Sequence, residues 1–386
     1  MDIRSLLSAM VDKAASDLYL TVDSPPMLRI EGFTEPFGNE VLKPAQVEAL
    51  ANSLMTERQR AAFDEKLEMN LAIASERMGR FRVNVFRQRG AVAVVIRQIK
   101  SQIPSLDELG LPPVLKTIAL SRRGLVLVVG ATGSGKSTTQ AAMLDYRNEN
   151  TCGHILTVED PIEFVHMHKK CIVSQREVGF DTTSFGEALK NTLRQAPDVI
   201  LIGEVRDLET MEAAITFAET GHLCLATLHS NNANQAIERV MNFFAVERHN
   251  EIFLQLSLNL RGIVSQRLIP GVDGKRVAAM EVLLDTPYVR DLIKKGEVDT
   301  LKDAMEKSTQ EGGQIFDQSL FELYAAGRIS EEQALSNADS ANNLRIRIKN
   351  LDLSGKTFQE QRVAPTFGSE GLRIEGVTPG PNFRRM

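Results

Sequence analysis

Gly130-Ala131-Thr132-Gly133-Ser134-Gly135-Lys136-Ser137 fits the phosphate-binding pattern G-x-x-x-x-G-K-[ST] at every fixed position. That spacing suits one kind of chemistry. Glycines let the backbone wrap closely around a polyphosphate, and N–H groups at the start of the following helix point at its negative charge. The Lys136 ammonium would reach the β- and γ-phosphates, and the Ser137 hydroxyl would hold Mg2+. Gly130, Thr132, Gly133, Ser134, Gly135, Lys136, Ser137 and Thr138 are therefore the expected contacts to a nucleoside triphosphate.

Two acid-bearing segments would complete a hydrolytic site. Asp198-Val199-Ile200-Leu201-Ile202-Gly203-Glu204 reads as an apolar strand ending in a carboxylate, where an acid can order the water shell of Mg2+. Glu204 stands where an aspartate is more usual. Ile155-Leu156-Thr157-Val158-Glu159-Asp160-Pro161-Ile162-Glu163 is a second strand running into acids. Hydrolysis needs a group that activates or orients water, and Glu163 is the candidate, with Glu159 and Asp160 supporting metal and loop geometry. In Thr227-Leu228-His229-Ser230-Asn231, His229 follows a further strand and can donate a hydrogen bond to a γ-phosphate. His222, before that strand, is expected at an interface. Phosphoryl transfer also calls for arginine, often from a neighbouring subunit. Arg82 and Arg97, with Arg80, lie on expected strands of the first hundred residues, and Arg194 and Arg206 flank the Glu204 strand.

These side chains need a scaffold, and the apolar spacing supplies one. Leu125 to Val129 is a buried-strand run before the glycine loop. From about 114 to 285 such runs alternate with helical stretches, which predicts a mostly parallel sheet with helices on its faces. The expected strands are 125–129, 154–158, 198–202, 222–227 and 263–268. Before this unit, Ile3, Leu6, Leu7, Met10, Val11 and Ala14 predict a first helix, and Pro44 opens another. Residues 18–22, 27–30, 71–74, 81–86 and 92–99 read as strands; Phe81, Val83 and Val85 face one way, Arg80, Arg82 and Asn84 the other. Residues 287–349 read as short helices, with Phe316, Leu320 and Leu323 on one face. From 350 onward periodicity stops, and a flexible tail is expected.

Composition narrows the class. A formal charge of −5 argues against a dedicated nucleic-acid binder. Cys152, Cys171 and Cys224 are odd in number and form no C-x-x-C pair, which excludes a disulfide framework or a four-cysteine zinc site within one chain. Each is expected in or beside the core. The opening residues lack a signal peptide's apolar block, and no stretch has the 18 or so apolar residues of a spanning helix. A cytoplasmic location follows as an expectation, with membrane contact only through partners.

Taken together, the phosphate loop, the acidic box at 157–163, the Walker B segment at 194–204 and the histidine box at 220–222 and 227–231 resemble the secretion and type IV pilus ATPases, hexameric RecA-like motors. The likeness covers about residues 1–349. It implies an α/β fold: a PAS-like α+β domain over 1–103, a linker over 104–113, a RecA-like P-loop ATPase domain over 114–285, helices over 286–349 and a flexible tail over 350–386. Nucleotide, ATP with Mg2+, would lie between the domains, and subunit interfaces would complete each site. Within the family, Ala15-Ser16-Asp17-Leu18-Tyr19-Leu20 near the start and Phe316-Asp317-Gln318-Ser319-Leu320 resemble the retraction motors of type IV pili. Tyr288-Val289-Arg290-Asp291-Leu292 departs from the main motor's pattern and, with the tail, resembles its accessory paralogue. The resemblance implies a homo-hexamer or association with that paralogue, peripheral at an inner-membrane pilus platform, driving twitching motility. Two other classes fit part of the pattern. A nucleotide-gated bracing subunit is opposed by the full set of acids, and a DNA-handling ATPase by the lack of a basic, aromatic-studded strand face.

Overall fold

The computed structural model describes residues 2–354 except Glu31 and Glu76. The expected tail therefore lies, from residue 355 on, outside the described residues.

The first unit begins with α1 (Ile3–Asp12), whose N-cap Asp2 accepts the Ser5 N–H and whose inner face buries Leu6, Leu7 and Met10. It continues with β1 (Asp17–Leu20), β2 (Met27–Ile30), β3 (Phe33–Pro36), α2 (Pro44–Leu54), α3 (Glu57–Lys66), β4 (Glu68–Ser75), β5 (Gly79–Gln88) and β6 (Ala91–Ile99). The six strands form an antiparallel sheet in the order β3-β2-β1-β6-β5-β4. Phe81, Val83 and Val85 of β5 join Val94 and Ile96 of β6 and the buried faces of α1 and α2 in one core. Two elements went unexpected for a shared reason. β3 is exposed along its length, and α3 buries only Phe63, so neither carries an apolar stripe. α3 is instead set by the Thr56–Gln59 capping box.

The side of this sheet away from the core is charged. Register places Arg29, Asp17, Arg97 and Arg82 in one row across β2, β1, β6 and β5. Adjacent arginines repel, and Asp17, 2% exposed, offsets this by pairing with Arg97 at 2.7 Å and Arg29 at 3.9 Å.

The connector is packed rather than loose: Leu106 and Leu111 are buried in the core of the second unit. That unit runs α4 (Val114–Ala119), β7 (Gly124–Val129), α5 (Lys136–Asn150), β8 (Gly153–Glu159), β9 (Cys171–Glu177), α6 (Phe185–Thr192), β10 (Val199–Ile202), α7 (Leu208–Glu219), β11 (Leu223–Leu228), α8 (Ala233–Met241), α9 (His249–Asn259), β12 (Leu260–Pro270) and β13 (Arg276–Leu284). Its sheet has the order β13-β12-β7-β11-β10-β8-β9, parallel except for the β12–β13 pair. Every residue of β7, β10 and β11 is buried, as continuous apolar runs require when helices cover both faces. β9 and β13 were not anticipated: β9 is a largely polar edge strand, and Glu281 interrupts the apolar run of β13. Cys171 and Cys224 are buried, but Cys152 is exposed in the turn before β8, correcting its expected place beside the core.

Five helices follow: α10 (Pro287–Lys295), α11 (Leu301–Lys307), α12 (Phe316–Ala325), α13 (Glu331–Ser336) and α14 (Ala341–Ser354). The last runs past the expected limit at 349. Phe316 and Leu320 pack on Ile269, Val277 and Ala279 of the β12–β13 ribbon, and the Arg267 guanidinium lies 3.8 Å over the Phe316 ring.

Candidate active site

The glycine loop links the buried end of β7 to the start of α5, at the C-terminal edge of the parallel sheet where such folds bind ligands. Gly130 has φ +153°, and a Cβ there would stand 2.5 Å from the Gln266 carbonyl oxygen and from Ser134 Oγ. Gly135 has φ +90° and leaves α5 without a side-chain cap. Its first N–H groups are thus left to a ligand. Lys136, 7% exposed, curls back into the loop, where Nζ donates to the carbonyls of Gly130 (2.8 Å) and Ala131 (2.9 Å). Burial lowers its pKa, and the nearby Glu204 charge works the other way. Ser134 Oγ is buried with no hydrogen-bond partner. An unpartnered hydroxyl, an uncapped helix start and a buried ammonium on one short loop fit a polyphosphate. Ser137 is exposed and Thr138 half-buried at the same helix start, while Thr132 and Gly133 are exposed on the loop.

Glu204 is two residues beyond β10, beside the next strand's exit. Its Oε1 lies 3.1 Å from His229 Nε2, and its Oε2 lies 2.7 Å from Arg206, which also meets Asp160 at 3.4 Å. Burial would raise the Glu204 carboxyl, but Arg206 and His229 outweigh it and hold it below the ordinary carboxylate range. Glu159, at the end of β8, differs. Loss of solvent pushes it up to about 7, although Thr157 Oγ1 (2.6 Å) and Gln175 Nε2 (3.2 Å) both donate to it. An open cleft of about 560 Å³ leads away from this cluster, lined by Ala131, Thr132, His229, Asn231 and Arg239 among others.

Glu163 sits apart. It is exposed, and among the described residues no hydrogen bond or ion pair joins its side chain to Glu204, Lys136 or His229. Its charge acts on Glu159 and on Arg97, whose pKa is raised first by Asp17 and in lesser part by Glu163. The first unit is stitched to this same turn: Lys100, just past β6, bridges Phe164, and the Val165 N–H donates to the Lys100 carbonyl at 3.0 Å. Nearby, Arg80 meets the buried Glu177 of β9 at 3.2 Å, and Arg82 adds its charge to the same carboxylate. Direct contacts thus join Glu204 to His229 at the sheet edge and Arg80 to Glu177 where the two units meet, with Arg82 adding its charge there, while Arg97 is paired with Asp17. His222 caps the end of α7 within its own chain, through Phe217 and Thr220.

Sequence reasoning passed over Gln266. Its Oε1 accepts Thr139 Oγ1 at 2.7 Å, and its backbone backs Gly130. The available signal was a polar run, Ser265-Gln266-Arg267, inside an otherwise apolar strand.

Comparison with known proteins agrees with this architecture. A family model described as type II/IV secretion system protein matches residues 2–334. The type IV pilus ATPase PilU of Pseudomonas aeruginosa is 55% identical, with all of both chains covered. The type IV pilus retraction ATPase PilT of the same organism is 45% identical over 89% of this chain and all of that one. A crystal structure of the pilus retraction motor PilT with bound ADP superposes with a TM-score of 0.83 at 40% identity, covering 88% of this chain and 98% of that one. A continuous match across both units, at identities this high, makes the chain a member of the type II/IV secretion system protein family.

Proposed function

We propose that this protein is an ATPase of type IV pilus retraction, acting as the accessory partner of a main retraction motor in twitching motility. The observation that carries it is Lys136 folded into its own glycine loop with Glu204 and His229 beside it, in a chain 55% identical to PilU end to end. The loop amides and Lys136 bind the triphosphate of ATP, with Thr132, Ser134 and Thr138 contributing from the same loop and helix start. Ser137 and Glu204 suit Mg2+, which when bound neutralises phosphate charge; Ser137 offers an exposed hydroxyl and Glu204 a carboxylate kept ionised. His229 donates to the γ-phosphate side while staying tied to Glu204.

Glu163 is the base that takes the proton of attacking water, with Arg82 and Arg97 offsetting the charge that develops on the transferred phosphoryl group. Arg82 and Arg97 belong to the first unit and Lys136 to the second, so the site completes itself by motion of one against the other. Work follows from that closure in a ring of six subunits, homomeric or mixed with the paralogue. The ring sits in the cytoplasm against the pilus platform of the inner membrane, and the acidic chain needs no nucleic acid. Among the described residues no helix is long and apolar enough to cross a membrane.

Lys136→Ala tests the proposal. Magnesium-dependent ATP hydrolysis by the purified protein should fall at least about a hundredfold, and a strain lacking the protein should not recover retraction with this variant. Full recovery would replace the motor with a bracing subunit.

A further inference from the structure

Glu281 lies in the middle of β13 and is 2% exposed. A carboxylate that deep in a sheet is costly unless it is hydrogen-bonded. Its Oε1 accepts two donors, the Ala233 N–H at 2.7 Å and the Ser265 hydroxyl at 3.0 Å. Ala233 is the first residue of α8, so Glu281 takes up an N–H that the helix cannot satisfy, at the end where the helix dipole favours negative charge. The residues immediately before it, 229–232, form the loop that leaves β11 and begins with His229.

That loop is fastened at one end by β11 and at the other by Glu281. Between them, Asn232 Oδ1 accepts the Gln235 N–H at 2.9 Å, and the Asn231 N–H meets Gln235 Oε1 at 3.2 Å. Ser230 Oγ is buried there without a partner. The Ser265 end leads back to the phosphate loop: the next residue, Gln266, holds Thr139 of α5 and backs Gly130. Arg267, one further on, binds the helical cap through Asp339 at 3.0 Å. Three successive residues of β12 thus reach the start of α8 through Glu281, the phosphate loop directly, and the C-terminal helices.

We infer that Glu281 is a positioning residue for ATP hydrolysis: by fixing the start of α8 it sets where His229 meets Glu204. The inference rests on the role proposed above for His229, and it requires no contact between Glu281 and nucleotide.

Steady-state hydrolysis by the full chain tests it. Glu281→Ala should lower kcat about tenfold while KM for ATP stays within about twofold, because Lys136 and its loop are untouched. Glu281→Gln keeps an acceptor oxygen and should recover kcat to within about threefold of the parent. In a His229→Ala background, adding Glu281→Ala should change kcat by less than about twofold. An unaltered kcat in Glu281→Ala, full additivity with His229→Ala, or a Gln form as slow as the Ala form would each overturn the inference. Should Glu281→Ala not fold, Ser265→Ala takes its place: a kcat loss of about threefold that vanishes in the His229→Ala background supports the role, and an unaltered kcat or an equal loss in both backgrounds overturns it. A His229→Ala enzyme with unaltered kcat sinks the role of His229 itself; a slowed one beside an unaltered Glu281→Ala sinks only the positioning.

Discussion

His229 Nε2 lies 3.1 Å from Glu204 Oε1, so the first residue past β11 meets the second residue past β10 at the sheet edge. The pairing lets one acid be held in place from both sides, by His229 and by Arg206. Removing the imidazole leaves Glu204 to Arg206 alone and, in the proposed mechanism, takes a donor from the γ-phosphate side. His229→Ala should reduce kcat about ten- to a hundredfold with nucleotide affinity changed less than about threefold, as read by steady-state kinetics alongside calorimetric binding.

Glu163 is exposed, and its charge acts on both Arg97 and Glu159. With Glu163 as the proposed base, Glu163→Gln should leave ATP binding within about twofold while hydrolysis drops at least about a hundredfold. A single-turnover assay separates the two quantities, and unchanged turnover would remove Glu163 from the mechanism.

Glu159 gives the protein a dependence on pH of uncommon sign. Its carboxyl sits at about 7 in the folded chain against 4.5 for the free group, so the folded state holds the extra proton between those values. Stability then falls as pH rises through that window, by on the order of 3 kcal/mol at most. Glu159→Gln should flatten this slope in melting curves recorded from pH 5 to 8, and an unchanged slope would assign it to another group.

Glu177 is 1% exposed and depends on Arg80 and Arg82 for its charge balance. Arg80→Ala strands that carboxylate and should cost about 1–3 kcal/mol, a drop of roughly 1–4 °C in melting temperature. Adding Glu177→Gln should restore most of the loss, which scanning calorimetry can decide.

Much of this site was legible in the residues because its parts are local. The loop from Gly130 to Ser137, the strand before it and the acid ending at Glu204 are each a few residues long, so pattern and position coincide. The five strands expected in the second unit all appear, with ends shifted by up to three residues. β3 and α3 were not legible because they bury almost nothing, and β9 because an edge strand needs little apolar alternation. Pairings between distant segments were out of reach altogether. Nothing near Asp17 announces Arg97, and nothing near Glu281 announces Ala233, since these meet only through sheet register and helix packing.

The bridge between Lys100 and Phe164 ties the last strand of the first unit to the residue directly after Glu163. A swing of that unit cannot leave the turn behind. In the proposed closure the join would act as a crank, and the proposed base would advance and withdraw in step with each mechanical stroke. Lengthening the segment between Arg97 and Lys100 by one residue would then disengage fuel consumption from movement, leaving a motor that idles.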